Sequence, residues 1–198
     1  MVITSYASKF LNAHGQDCTI NRTPIVTTKT SIKRSTKSAN NLGNREALWE
    51  GLILHYAGAL SGDILTINTV NYLLQSISND FASSEDAFFA AKTNAVLVHK
   101  RYGETTDANG NLIQAWGTLN SNVYGYGEIV TYTLRQYDPG LLPQTRYIFQ
   151  VPKSLGIIEL DRIIYGTGDN NKYQVESIDD IALQGVVRIQ LSKDTRPD

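Results

Sequence analysis

Leu60-Ser61-Gly62-Asp63-Ile64-Leu65, leading to Tyr72-Leu73-Leu74-Gln75-Ser76-Ile77, has a counterpart later in the chain. That counterpart is Leu160-Asp161-Arg162-Ile163-Ile164-Tyr165, leading to Tyr173-Gln174-Val175-Glu176-Ser177-Ile178. Each stretch has an Asp at a turn, an apolar strand, a polar hairpin turn, and a strand that opens with Tyr and ends in Ser-Ile. Tyr173, Val175 and Ser177 alternate with Gln174 and Glu176, so one face of that strand turns to a core. A repeat of this kind marks two related supersecondary units.

Further blocks align around it. Gly15 with Thr19 is set against Gly127 with Thr131, Leu52-Ile53-Leu54-His55-Tyr56 against Tyr147-Ile148-Phe149-Gln150-Val151, and Val96-Leu97-Val98-His99 against Val187-Arg188-Ile189-Gln190. Two repeats are too few for a solenoid, so the expected fold is all-β with short helices: two tandem, related small β-barrel modules. Residues 1–14 are assigned to an N-terminal helix stopped by a left-handed Gly15, and 15–101 to the first barrel module. Residues 102–125 become a connecting hairpin or linker tipped by Asn109-Gly110, and 126–198 the second module. Ser83–Lys92 has capping serines, early acids and a final lysine, which predicts a helix inserted into the first module.

The 198 residues carry 18 Lys and Arg against 19 Asp and Glu, a net charge of −1. That balance lacks the overall basic bias of a nucleic-acid binder, so any contact with DNA has to come from a local patch. The single cysteine, Cys18, excludes an intrachain disulfide and a thiolate metal cluster, and its strand setting reads as a buried, inert thiol. The opening residues lack the pattern of a signal peptide, and the apolar run Gly51–Leu60 falls short of a membrane span. A soluble protein with no membrane partner is expected.

Candidate chemistry is sparse. His14, His55 and His99 have no carboxylate or second histidine at ligand spacing, and the motifs of nucleophilic catalysis and phosphate cradling are missing. The expectation is a non-enzyme without metal or cofactor. From Thr23 to Ser38 eight of sixteen residues are Ser or Thr, and no acid occurs between Asp17 and Glu46. This predicts a long mobile loop or a two-stranded arm within 23–45, whose Lys29, Lys33, Arg34 and Lys37 are either simply solvated or in contact with phosphate. Ala95–Val98 reads as apolar on both faces where Arg188 stands in the aligned strand. With Phe88 and Phe89 beside it, this segment, Leu97 included, is a candidate subunit interface.

The run Leu160–Tyr165 followed by Lys172–Asp180 resembles the signature hairpin of the small β-barrel neck proteins of tailed bacteriophages, the head-tail connector, head-completion and stopper proteins. The opening Phe10–Thr23, a short helix feeding a strand, is similar to the way such proteins begin. The resemblance implies a structural virion protein, assembled in the host cytoplasm as a homo-oligomeric ring. Its partners would be a portal or adaptor on one side and a tail-completion or tail protein on the other. The ring would surround the DNA channel, and the loops 23–45 and 136–146 could approach packaged DNA without sequence specificity. A tail-terminator or tail-tube-like protein is the alternative within virions, and a ligand- or carbohydrate-binding β-protein the alternative outside them.

Overall fold

The computed structural model describes residues 6–35, 47–78, 84–106, 108–167 and 171–197. Within them the strands close into two six-stranded antiparallel barrels, and the chain divides between Thr93 and Asn94, with Ile181–Val186 grouped with the first unit. Helix α1 (Tyr6–His14) leads into β1 (Gln16–Ile20), β2 (Val26–Arg34), β3 (Leu48–Leu54), β4 (Ile64–Ile67), β5 (Val70–Ser78) and β6 (Glu85–Lys92). The second barrel has β7 (Ala95–Thr106), β8 (Leu112–Ile129), β9 (Tyr147–Pro152), β10 (Arg162–Tyr165), β11 (Lys172–Asp179) and β12 (Val186–Lys193), with α2 (Tyr132–Tyr137) between β8 and β9. The orders β1-β2-β3-β6-β5-β4 and β7-β8-β9-β12-β11-β10 are one topology used twice. Pairing of β1 with β4, and of β7 with β10, closes each barrel.

Register fixes the correspondence residue by residue. Tyr72 faces Leu65 and Tyr173 faces Ile163, and both strands break register at the same place, between Leu74 and Ser76 and between Val175 and Ser177. Tyr72 therefore stands on Tyr173 and Ser76 on Ser177, the duplication holding down to a shared β-bulge. The flanking blocks align differently from the sequence expectation. Trp49, not Leu52, is the counterpart of Tyr147: Trp49 meets Tyr72 edge-on at 5.5 Å as Tyr147 meets Tyr173 at 5.1 Å. Gly127 lies within β8, so it does not open a copy, and the counterpart of β12 is β6.

Several boundaries move as a result. Ala95–His99 opens the second barrel instead of closing the first, so the modules meet at Thr93–Asn94 and not around 101. Residues 102–106 and 112–125 do not link the modules but belong to the two long strands of the β7–β8 hairpin. Thr93 hydrogen-bonds the Asn71 carbonyl, and Asn94 exchanges bonds with Gly127, so each junction residue is tied to its own barrel. The expected inserted helix is β6. Its alanines and terminal charges suit a helix, but Asp86, Phe88 and Ala90 alternate inward between β3 and β5, and packing overrides propensity. Gly15 is not left-handed; its amide closes the last turn on the Leu11 carbonyl, and a Cβ there would come within 2.4 Å of that oxygen.

The Ser/Thr-rich segment is likewise a strand as far as Arg34. β-Branched threonine suits a half-buried pleat: Thr28 and Thr30 turn inward while Thr27, Ser31 and Lys33 face solvent. The two cores also solve one packing problem from different strands. Ile32 faces Gly51 in the first barrel, and the Phe88 ring from β6 covers that glycine. At the same place in the second barrel Gly127 faces Phe149, whose own ring lies over the glycine.

Among the described buried side-chain atoms, Thr28 Oγ1 lacks a hydrogen-bond partner. Register places Thr28 opposite Cys18 and Val123 opposite Leu97, making Val123 its counterpart. Thr28→Val copies the second barrel's choice, and chemical denaturation should show a gain of about 1–3 kcal/mol, the cost of an unpaired buried hydroxyl.

Candidate functional site

Each barrel carries the same charged turn where its fourth strand begins. After β3, and after β9 in the second copy, comes a 3-10 turn, His55–Ala57 or Lys153–Leu155, capped by a left-handed Gly58 or Gly156. In the first copy the Asp63 carboxylate accepts from the Leu60 amide at 2.8 Å, and the Asp63 carbonyl accepts from Leu74 on β5 at 2.9 Å. Asp161 does the same with Ile158 at 2.9 Å and Val175 at 3.0 Å. An arginine completes the turn, Arg22 just past β1 in the first copy and Arg101 within β7 in the second. Arg22 donates to the carbonyls of Ala57 and Gly58 and approaches Asp63 at 3.5 Å. Arg101 donates to Gly156 at 2.8 Å and grips Asp161 with two bonds of 2.8 and 2.7 Å.

The turn holds an aliphatic side chain out to solvent in both copies: Leu60 is 57% exposed and its counterpart Ile158 51%. Ala59 and Ile157, one residue earlier, are buried.

The two aspartates differ in electrostatics. Burial raises Asp63, and the Leu60 amide and Arg22 counter it only in part. Burial also opposes the charge on Asp161, but Arg101, the Ile158 amide and His99 together outweigh it and hold the carboxyl below its usual range. His99 stands where the first copy has Ile20. Fully buried, it meets Asp161 through Nε2 at 2.8 Å, and its Nδ1 lies 3.0 Å from the Asn120 amide nitrogen. A ring bracketed in this way is a structural histidine. His55 is half-exposed and directs Nδ1 at buried Asp86, 2.9 Å away.

A second ionic cluster anchors the β7–β8 hairpin, which runs beyond the barrel as an arm. Arg162, 1% exposed, donates to Asp194 at 2.7 Å and to the carbonyls of Arg196 and Pro197. Its guanidinium lies 3.8 Å from the centre of the Trp116 ring, with that of Arg196 at 4.8 Å. Trp116 pairs with Tyr102 across the arm and donates its indole N–H to Pro197. Burial would raise Asp194, yet bonds from Arg196 and Arg162 prevail and lower it to about 2. A buried pair broken on one side leaves an uncompensated charge, so each partner depends on the other.

The candidates from sequence fare unevenly. Leu97 and Phe88 are buried in the cores of their own barrels and unavailable to a neighbour, because β7 and β6 turn them inward. Phe89 points outward and is 39% exposed. Lys29 sits opposite Asp17 in register and bonds it at 2.7 Å, and Lys33 sits opposite Glu50 at 3.3 Å. These are cross-strand ion pairs. Arg34 is exposed on the same strand, and Lys37 lies outside the described residues. Cys18 is buried, which pushes its thiol up to about 12. No group of three or more His, Cys, Asp or Glu among the described residues is placed to hold a metal, and no described helix is long and apolar enough to cross a membrane.

No family model matches the chain, and no curated protein matches it. Among solved structures it is similar to the solution structure of protein SF1141 from Shigella flexneri 2a, with 14% identity and a TM-score of 0.40. That likeness covers 53% of this chain and 96% of the other.

The charged turns make the barrels respond differently to acid. Lowered carboxyls contribute stability that is present above the ordinary aspartate range and lost as pH falls through the folded value, so Asp161 and Asp194 weaken the second barrel below pH ~4. Asp63, being raised, acts in the opposite sense: protonation relieves its burial. Trp49 belongs to the first barrel and Trp116 to the second, so Trp49→Phe and Trp116→Phe isolate the two emissions. Between pH ~4 and ~2 the Trp116 signal should change first. Coincident transitions, or Trp49 leading, would remove these carboxylates as the cause.

Proposed function

We propose that this chain is a structural protein of the tailed-phage neck, present in several copies as a ring around the DNA channel between the portal or adaptor and the tail. The observation that carries the proposal is the β10–β11 hairpin, whose residues bear the resemblance to neck proteins. It is an integral wall of a small closed barrel, and β4–β5 repeats it with the same bulge and the same Arg–Asp turn. A part that must hold its shape between two large assemblies suits a pair of closed barrels with rigid turns. The outward Leu60 and Ile158 give each module an aliphatic contact point for a neighbour.

DNA contact in this proposal is weak and non-specific. Lys29 and Lys33 already face acids, so phosphate competes with Asp17 and Glu50 for them. The test is immunogold labelling of virions of the encoding phage, with the copies per particle counted by quantitative mass spectrometry. Label at the head-tail junction and several copies per virion are expected. Label along the tail shaft would favour the tail-tube alternative, and absence from purified virions, or one copy per particle, would overturn the ring.

A further inference from the structure

Among the described residues, the arm of the second barrel is a ribbon of two strands without a third beside it. Arg101–Thr106 of β7 pairs with residues 112–117 of β8, whereas β10 accompanies β7 only as far as Lys100 and β9 joins β8 only from Tyr126. The first barrel has no equivalent, because β1 stops at Ile20 and β2 starts at Val26. Two strands alone are marginal in water. An exposed edge also recruits another strand unless charge, proline or a bulge protects it.

The two edges of the arm differ in this respect. The β7 edge carries Arg101 and Glu104. The β8 edge, Leu112-Ile113-Gln114-Ala115-Trp116-Gly117, has no charge, no proline and no break in register; the hairpin's irregularities lie nearer the barrel, between Leu97 and Lys100. Leu112 and Ile113 on it are exposed.

We propose that this β8 edge pairs, antiparallel and across a two-fold axis, with the same edge of a second copy of this chain, making one four-stranded sheet from two arms. The sequence of the edge is self-complementary in that arrangement. With Gln114 opposite Gln114 of the second copy, Leu112 stands opposite Trp116 and Ile113 opposite Ala115. Amide then meets amide, apolar meets apolar, and no charge is trapped. The contact is isologous and closes at two copies, so it is independent of the head-to-tail contact a ring requires. It also does not rest on the neck proposal.

Sedimentation velocity on the full chain tests it, using Gln114→Lys and Gln114→Glu, alone and in equal mixture. The Gln114 side chain is solvent-exposed, so circular dichroism should be unchanged. The unsubstituted chain should be a dimer. Each variant alone places like charges face to face on the two-fold axis and should dissociate about tenfold or more readily, and the mixture should recover a mixed dimer by native mass spectrometry. Glu104→Lys, on the other edge of the same arm, should leave the dimer intact. A monomeric parent chain, a Gln114→Lys dimer as tight as the parent's, a mixture that stays monomeric, or loss of the dimer in Glu104→Lys would each overturn the proposal.

Discussion

One aspartate in each barrel ties together the segments that would otherwise spring apart. Asp63 and Asp161 stand where the fourth strand begins. The carboxylate holds the preceding turn and receives Arg22 or Arg101, and the carbonyl receives an amide from the fifth strand. Barrel closure is the pairing of first and fourth strands, so this residue sits at the seam. Closure gives every strand two neighbours within its barrel and removes the edges there that make open sheets prone to association, leaving the β7–β8 arm open.

From that shared frame the copies diverge in ways that follow from packing. The core phenyl ring comes from β6 in one and β9 in the other, each over a glycine that leaves room for it. The second copy turns Ile20 into His99, so its Asp161 gains a buried partner and a stronger hold than Asp63 has. It also lengthens its first hairpin into an arm, whose root is strapped by Arg162, Asp194 and Trp116. The two ionic clusters of the second barrel thus stand where strands must be held against solvent, at the seam and at the root of the arm.

The β-barrel pair was legible because alternation and the Tyr-to-Ser strand are local signals that survive duplication. The limits of each module were not, since letters mislead where backbone decides. Leu60 and Leu160 match by name, but Leu160 occupies the position of Gly62: its amide bonds Val175 as Gly62 bonds Leu74, and both have positive φ, 70° and 92°. Leu97 reads as an interface residue in sequence because its strand aligns by letters with β12 instead of β1, and the Ser/Thr-rich segment reads as a loop or arm because threonine's polarity outweighs its strand preference there. Arg22 and Arg101 carry no sequence signal of their own, although each stands two residues after the equivalent positions Ile20 and His99. That shared spacing appears once β1 and β7 are aligned, and each arginine lies a stretch of sequence away from the aspartate it serves.

Amide hydrogen exchange on Arg101→Gln tests most directly whether the seam depends on this contact. In the unsubstituted protein the amides of Leu60, Leu74, Ile158 and Val175 should all exchange slowly, although Leu60 and Ile158 have exposed side chains. In the variant Ile158 and Val175 should exchange faster while Leu60 and Leu74 keep their protection, because each clamp serves its own barrel. Unaltered protection at Ile158 and Val175 would contradict the central role given to the arginine–aspartate contact.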